Sequence, residues 1–146
     1  MDKKNTYSLA TEALENKKNT YKRELCGYVF GGITVLIICV PFFIKHFSWF
    51  LCIITAIILI AITNGLILST NEYFKCKKSY LNRNYTYHYI KIDNIRPGHF
   101  GFFIDFTINE GSYTEFVGRN TIKYMHVFEC DNGAIMFTAD TENLLI

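Results

Sequence analysis

The chain is 146 residues long; half of its residues are hydrophobic, 16% are aromatic and only 19% are charged, for a formal net charge of +2. Soluble domains typically carry about 25% charged residues. A chain this short and this apolar is not disordered, not a disulfide-dense secreted miniprotein and not a simple soluble enzyme; it holds one domain or a small domain with appendages, and its composition points to an integral membrane protein.

Residues 1–24 read as a short polar helix that Asn5 or Thr6 is placed to cap. Leu9, Ala10, Ala13, Leu14 and Tyr21 fall roughly on one stripe, with Glu12, Glu15, Lys17 and Lys18 elsewhere. Such a helix suits the inner membrane surface, its basic end near anionic headgroups, or solvent, where it only enforces topology.

Two apolar segments follow. Residues 25–44 and 47–70 contain no Lys, Arg, Asp or Glu. A hydrocarbon core of about 30 Å needs roughly 20 helical residues, and both segments meet that length. The first is too long and too far from the N-terminus for a signal peptide and is expected to remain as an anchor. Only four residues, Lys45 to Ser48, lie at the junction, so the spans form an antiparallel hairpin with both termini on one side. Six basic residues precede the first span and Lys75, Lys77, Lys78 and Arg83 follow the second, against Lys45 alone at the junction. The positive-inside rule therefore predicts a multi-pass protein of the cell membrane with both termini cytoplasmic. Trp49 and Phe50 stand at the outer interface, and Tyr21, Tyr73 and Phe74 at the inner one.

Small residues suggest how the hairpin closes. Gly27 and Gly31 form a GxxxG, and Ala61 and Gly65 fall at a similar depth on the second span, a pattern that permits close helix approach. Asn64 is the one strongly polar side chain inside a span and is placed to hydrogen-bond the first span or a partner subunit. No ionisable residue lies at mid-membrane, which argues against a proton relay or an ion pathway within this chain.

From Tyr85 onward the hydrophobic pattern has period two. Residues 85–95 form a candidate strand closed by Arg96-Pro97-Gly98. Phe102, Ile104, Phe106 and Ile108 alternate with Phe103, Asp105 and Thr107. A turn at Asn109–Ser112 leads to a strand over 113–117, and Gly118-Arg119-Asn120 to another over 122–129. Asp131-Asn132-Gly133 makes a hairpin turn into 134–138. Asp140 or Thr141 is placed to cap a terminal helix through Leu144. The expected architecture is an integral membrane α+β fold, a transmembrane helical hairpin followed by a small antiparallel β-meander domain. Its parts are the polar helix at 1–24, the hairpin at 25–70 and the cytoplasmic β domain at 71–146.

A five-stranded sheet of this size cannot hide both faces by itself, so it is expected to lean on the N-terminal helix, the membrane surface, a protein partner or a second copy. Phe102, Ile104 and Phe106 on one side and Phe103 on the other are the candidate interface. Lys75, Lys77, Lys78 and Arg83 are candidates for contact with membrane lipids, beyond their part in setting topology.

Catalytic motifs are missing: there is no P-loop, GxGxxG, GxSxG or HExxH. Cys26, Cys39 and Cys52 lie in the spans, and Cys76 and Cys130 have no CxxC spacing and are expected as free thiols. His126 and Cys130 share a strand face, with His88 and His99 elsewhere, too few and too dispersed for a zinc site. Asp105, Glu110 and Glu115 read as solvated acids beside turns. In the β segment acidic residues outnumber the basic Lys91, Arg96, Arg119 and Lys123, which argues against nucleic-acid binding. No cofactor, metal or small-molecule substrate is expected. The sequon Asn84-Tyr85-Thr86 has no meaning on a cytoplasmic face.

Residues 121–128 (TIKYMHVF) and 133–137 (GAIMF), with this layout, resemble the small bacterial membrane proteins of the YcxB-like and bacterial PH-like kind. That resemblance implies a two-span hairpin with a compact cytoplasmic β domain and brings no functional residue with it. The leading expectation is a membrane-anchored, non-catalytic interaction protein, an adaptor or small subunit, binding a partner through its β domain. The alternative is an immunity protein against a membrane-acting toxin, with its contacts in the spans and short loop. A membrane enzyme with a dispersed site and a lipid-headgroup binder rank behind.

Overall fold

The computed structural model describes residues 3–45, 49–99, 101–117 and 123–140. Two helices open the chain, α1 (Lys3–Lys45) and α2 (Trp49–Asn82). Among the described residues six strands follow: β1 (Tyr85–Lys91), β2 (Asn94–Pro97), β3 (Phe102–Ile108), β4 (Gly111–Val117), β5 (Tyr124–Cys130) and β6 (Ile135–Ala139). Both helices contain segments long and apolar enough to cross a membrane. α1 has already begun at Lys3, so Asn5 and Thr6 lie inside it rather than capping it. No break in helix separates the polar N-terminal residues from the first apolar segment, and α2 likewise continues past its apolar segment to Asn82. The expected tip of the hairpin at 46–48, the expected turn at Gly118-Arg119-Asn120, Thr121, Ile122 at the start of the strand read over 122–129, and the expected terminal helix beyond Asp140 lie outside the described residues.

The chain divides into two compact units. One is Lys18–Phe74; the other joins the residues up to Lys17 with those from Lys75 onward. In the first unit the helices run antiparallel. Tyr21 stacks on Tyr73 with centroids 4.9 Å apart, Ser69 hydroxyl donates to Glu24, the Tyr28 ring covers Gly65, and Thr55 hydroxyl reaches Cys39 Sγ at 3.4 Å.

In the second unit the strands form two antiparallel three-stranded sheets, β1-β5-β6 and β2-β3-β4. This corrects the expected single meander. The strand read as 85–95 breaks at Ile92-Asp93: Ile92 N–H donates to Lys123 carbonyl at 3.0 Å and Asp93 N–H to Asp105 carbonyl at 2.9 Å. There the backbone changes partners, so β1 pairs along its length with β5 while β2 pairs with β3.

The two sheets enclose one core. Ile104, Phe106 and Ile108 from β3 and Val117 from β4 meet Met125 and Val127 from β5 and Ile135 from β6, with Ile92 at the corner. The other face of β1-β5-β6 forms a second core. Phe128, Cys130, Ala134 and Met136 pack against Ala10 and Ala13 of α1 and Cys76 of α2, with Leu9, Leu14 and Tyr80 at the rim. The alanines, fully buried, let the helix approach the sheet closely. Leu9, Ala10, Ala13 and Leu14 of the stripe are thus spent on the sheet, one of the covers expected for it, while Tyr21 stacks on Tyr73, and β5 is buried on both faces.

Turn chemistry fixes the connections. α2 ends in a Schellman motif: Asn84 N–H donates to Ser79 carbonyl and Arg83 N–H to Tyr80 carbonyl, with Arg83 at φ +57°. The β5–β6 turn closes through Gly133 at φ +78°, a left-handed conformation that favours glycine. Ser79 hydroxyl donates to Asp131 Oδ1 at 2.6 Å, and Asn132 Nδ2 to Lys75 carbonyl at 3.1 Å, which tie this turn to α2.

Candidate functional site

The outer face of β2-β3-β4 carries the most distinctive surface of the second unit. The register sets Asn94 opposite Asp105 and Arg96 opposite Phe103; across the next pair of strands Asp105 meets Thr114 and Phe103 meets Phe116. Alternation turns these side chains outward while Ile104 and Phe106 turn in.

The centre of the face is a saturated polar network. Arg96 grips Asp105 with two hydrogen bonds, Nε to Oδ2 at 3.0 Å and Nη2 to Oδ1 at 2.8 Å. Thr114 hydroxyl donates to Oδ1 at 2.7 Å, and Asn94 Nδ2 reaches Oδ2 at 3.4 Å. The Arg96 hydrogen bond, followed by that of Thr114, holds the Asp105 carboxyl below the usual carboxylate range, and Asp105 raises the guanidinium in turn. The carboxylate has spent its acceptor positions and is placed to hold the sheet rather than to act as a base.

Beside it lies an apolar pocket of about 570 Å³, lined by Pro97, Gly98, His99, Phe103 and Phe116. Phe103 and Phe116 meet edge to face with centroids 5.4 Å apart, and Phe103 remains 42% exposed. Glycines make the room. A Cβ on Gly101 would stand 2.5 Å from both the Phe116 ring and Val117 carbonyl, and one on Gly98 would stand 3.0 Å from the Phe103 ring. Pro97 on the edge strand offers no N–H there. The arrangement suits an apolar or aromatic side chain, with His99 as the one titratable residue of the lining.

A second cluster lies on the helix-facing side of the other sheet. The Tyr87 hydroxyl and His126 Nδ1 are hydrogen-bonded at 2.8 Å, and Tyr89 hydroxyl donates to Asp140 at 2.6 Å. Tyr89 stacks on Tyr124 at 5.4 Å. Burial, then the Asp140 charge, raises the Tyr87 hydroxyl. This is a cross-strand aromatic ladder, and it extends the second core.

The residues singled out from the sequence fall in different places. Phe102, Ile104 and Phe106 are not an interface: Ile104 and Phe106 are fully buried between the two sheets and Phe102 packs against them, because β5 and β6 of the same chain cover that face. Of the four, only Phe103 points into the exposed face. Gly27 and Gly31 do not meet the second helix, since a Cβ on either would find nothing within 4 Å; Gly65 packs against Tyr28, where a Cβ would stand 2.7 Å from the ring. Ala61 and Asn64 are exposed on α2, and the Asn64 carboxamide has no partner among the described residues. Lys75, Lys77 and Lys78 are exposed on the last turns of α2, whereas Arg83 sits over the Tyr7 ring at 5.6 Å. Asp105 and Glu115 face opposite sides of their sheet, and Glu115 pairs with Lys17 at 3.9 Å. His126 and Cys130 are not joined as ligands: His126 is engaged by Tyr87, and Cys130 is 3% exposed, its thiol lowered chiefly by the neighbouring Cys76 against the effect of burial. Among the described residues no three His, Cys, Asp or Glu side chains are grouped to hold a metal. Phe116, Pro97 and His99 escaped the sequence reading because only the hairpin registers bring them to Phe103.

No protein-family model, curated protein or solved structure matches the chain.

Proposed function

We propose that this is a membrane-anchored, non-catalytic interaction protein whose β domain receives a protein partner at the pocket between Phe103 and Phe116. The observation that carries this reading is the exposed aromatic pair. Every other large apolar side chain of β3 is turned into the intramolecular core, while Phe103 stands 42% exposed over a cavity that the described residues leave open. Aromatic residues in a preformed pocket flanked by an ordered polar network have the make-up of an interaction hot spot. The apolar helices anchor the chain in the cell membrane, and the ten basic residues flanking them favour cytoplasmic termini.

The test is a photo-reactive phenylalanine analogue at position 103 in the full-length chain in its native membrane. One discrete protein adduct at 103, and none from the analogue at Ser112 on the same face, is the expected result. Adducts equally abundant at both positions, or absent at 103, would reject the pocket as the docking point. Cys76 and Cys130 are buried and report nothing about sidedness, so topology is read from Glu110→Cys, which an impermeant maleimide should leave unlabelled in intact cells.

A further inference from the structure

α2 meets α1 along one side only. Thr55 is buried, and Leu59, Ile62, Leu66, Ser69 and Tyr73 are half-buried, at alternating steps of four and three. A second series with the same alternation occupies nearly the opposite side: Ile53, Ile57, Ile60, Asn64, Ile67 and Asn71, all exposed. Ile57 and Ile60 are 60% and 61% exposed. These steps make a heptad seam, with isoleucine at each d position and Ile57, Asn64 and Asn71 at successive a positions.

Asn64 decides what such a seam is for. The hydroxyls of Thr34, Thr55 and Thr63 each donate to a carbonyl one turn back, at 2.8, 2.9 and 2.8 Å. Their polarity is satisfied within the helix. The Asn64 carboxamide has no such outlet. It lies six residues, about 9 Å, inside the Thr70 end of the apolar segment, beyond the reach of so short a side chain to water. Hydrocarbon offers it nothing, and an unpaired amide there is costly. A carboxamide is donor and acceptor at once, so it is complementary to its own copy across a two-fold axis. Copies of one membrane chain share an orientation, so two such helices run parallel. Within an isoleucine seam, an asparagine at a meets its counterpart at the same depth only in register.

We propose that a second copy of this chain docks along the 53–71 seam of α2, with the two Asn64 side chains hydrogen-bonded to each other. The proposal rests on the membrane-spanning reading of α2 and is independent of the Phe103 pocket.

The test is disulfide scanning of the full-length chain in its membrane, with Cys26, Cys39 and Cys52 replaced by alanine and single cysteines placed along α2. Ile57→Cys, Ile60→Cys and Asn64→Cys should cross-link to dimers, and Leu59→Cys and Ile62→Cys should not. In detergent, Asn64→Leu should weaken self-association roughly 5- to 30-fold, the loss of one interhelical hydrogen-bonded pair in a membrane-like medium. Absent or non-periodic cross-linking, or unchanged self-association in Asn64→Leu, would overturn the proposal. Extraction of the wild-type chain by alkaline carbonate would overturn the spanning reading itself, and this proposal with it, so the two failures are told apart.

Discussion

Phe103 and Phe106 are three positions apart on one strand, hence on opposite faces, and the structure assigns them opposite fates. Phe106 is fully buried and stacks on Tyr113 with centroids 5.7 Å apart. Truncation to alanine leaves a cavity between two sheets pinned by hydrogen bonds, so Phe106→Ala should cost about 3–5 kcal/mol. Phe103 has already left 42% of its surface in water and borders an open pocket. Its loss leaves no closed cavity; roughly half a side-chain transfer term and one edge-to-face contact give about 1–3 kcal/mol. The gap between the midpoints, about 2 kcal/mol, corresponds to a roughly thirtyfold difference in opening constants. Amide hydrogen exchange of residues 102–108, in the full-length protein in detergent, reads it directly. Phe106→Ala should accelerate exchange across the strand, and Phe103→Ala should leave most protection in place while abolishing the photo-adduct partner's binding. Equal acceleration by the two variants would refute the two-sheet core and return the strand to a single sheet with one face uncovered.

Three further outcomes follow from the geometry. Gly133→Ala should destabilise the second unit by about 1–2 kcal/mol through its left-handed backbone alone, since no atom lies within 4 Å of the added methyl; a chemical denaturation curve checks it. Gly65→Leu should lower thermal stability in detergent by about 1–3 kcal/mol, through displacement of Tyr28, whereas Gly31→Leu should leave the melting profile of the monomer unchanged. Asp105 is held below the ordinary carboxylate value of about 3.9, so its pairing stabilises the fold fully above that pH and is lost as pH falls through the lowered value. Arg96→Ala should move the acid-unfolding midpoint to higher pH, and an unchanged midpoint would show that the pair carries no stability.

The helices were readable from their long charge-free runs, the pattern that a segment surrounded by hydrocarbon requires. Where the helices stop was not. Charge marks the end of an apolar segment, whereas α2 continues to Asn82 because Cys76, Ser79 and Tyr80 are held by the β domain. The strand positions followed from alternation, but their partners did not. A step of three from Ile92 to Ile95, after a step of two from Ile90, is the one local sign of the corner where the chain leaves the first sheet. Ile104 and Phe106 looked like an interface because the residues that cover them, Met125, Val127 and Ile135, reach them only through non-local packing. A GxxxG pattern fixes a spacing and leaves the helix rotation open, which is why Gly65 packs on α1 and Gly27 and Gly31 do not. Phe103 was legible as an exposed aromatic, and its pocket was not, since Pro97, His99 and Phe116 converge on it through two hairpin turns.

The β domain is assembled from both ends of the chain. Glu12 accepts a hydrogen bond from Thr138 at 2.7 Å across 126 residues of sequence, and Ala10 and Ala13 close a core whose other wall is β5 and β6. At ~5–20 residues per second, a ribosome takes roughly 6–25 s to make that stretch. Throughout that interval the N-terminal turns of α1 have no sheet to pack on. On the membrane reading, they find one only after both apolar segments have crossed, because a chain with one segment inserted holds its two ends on opposite sides of the bilayer. On that reading insertion gates folding. A nascent chain stalled after the first crossing exposes an apolar helix stripe on one side and the uncovered face of β5 and β6 on the other. Quality-control proteases on either side would have a substrate that the completed protein never presents.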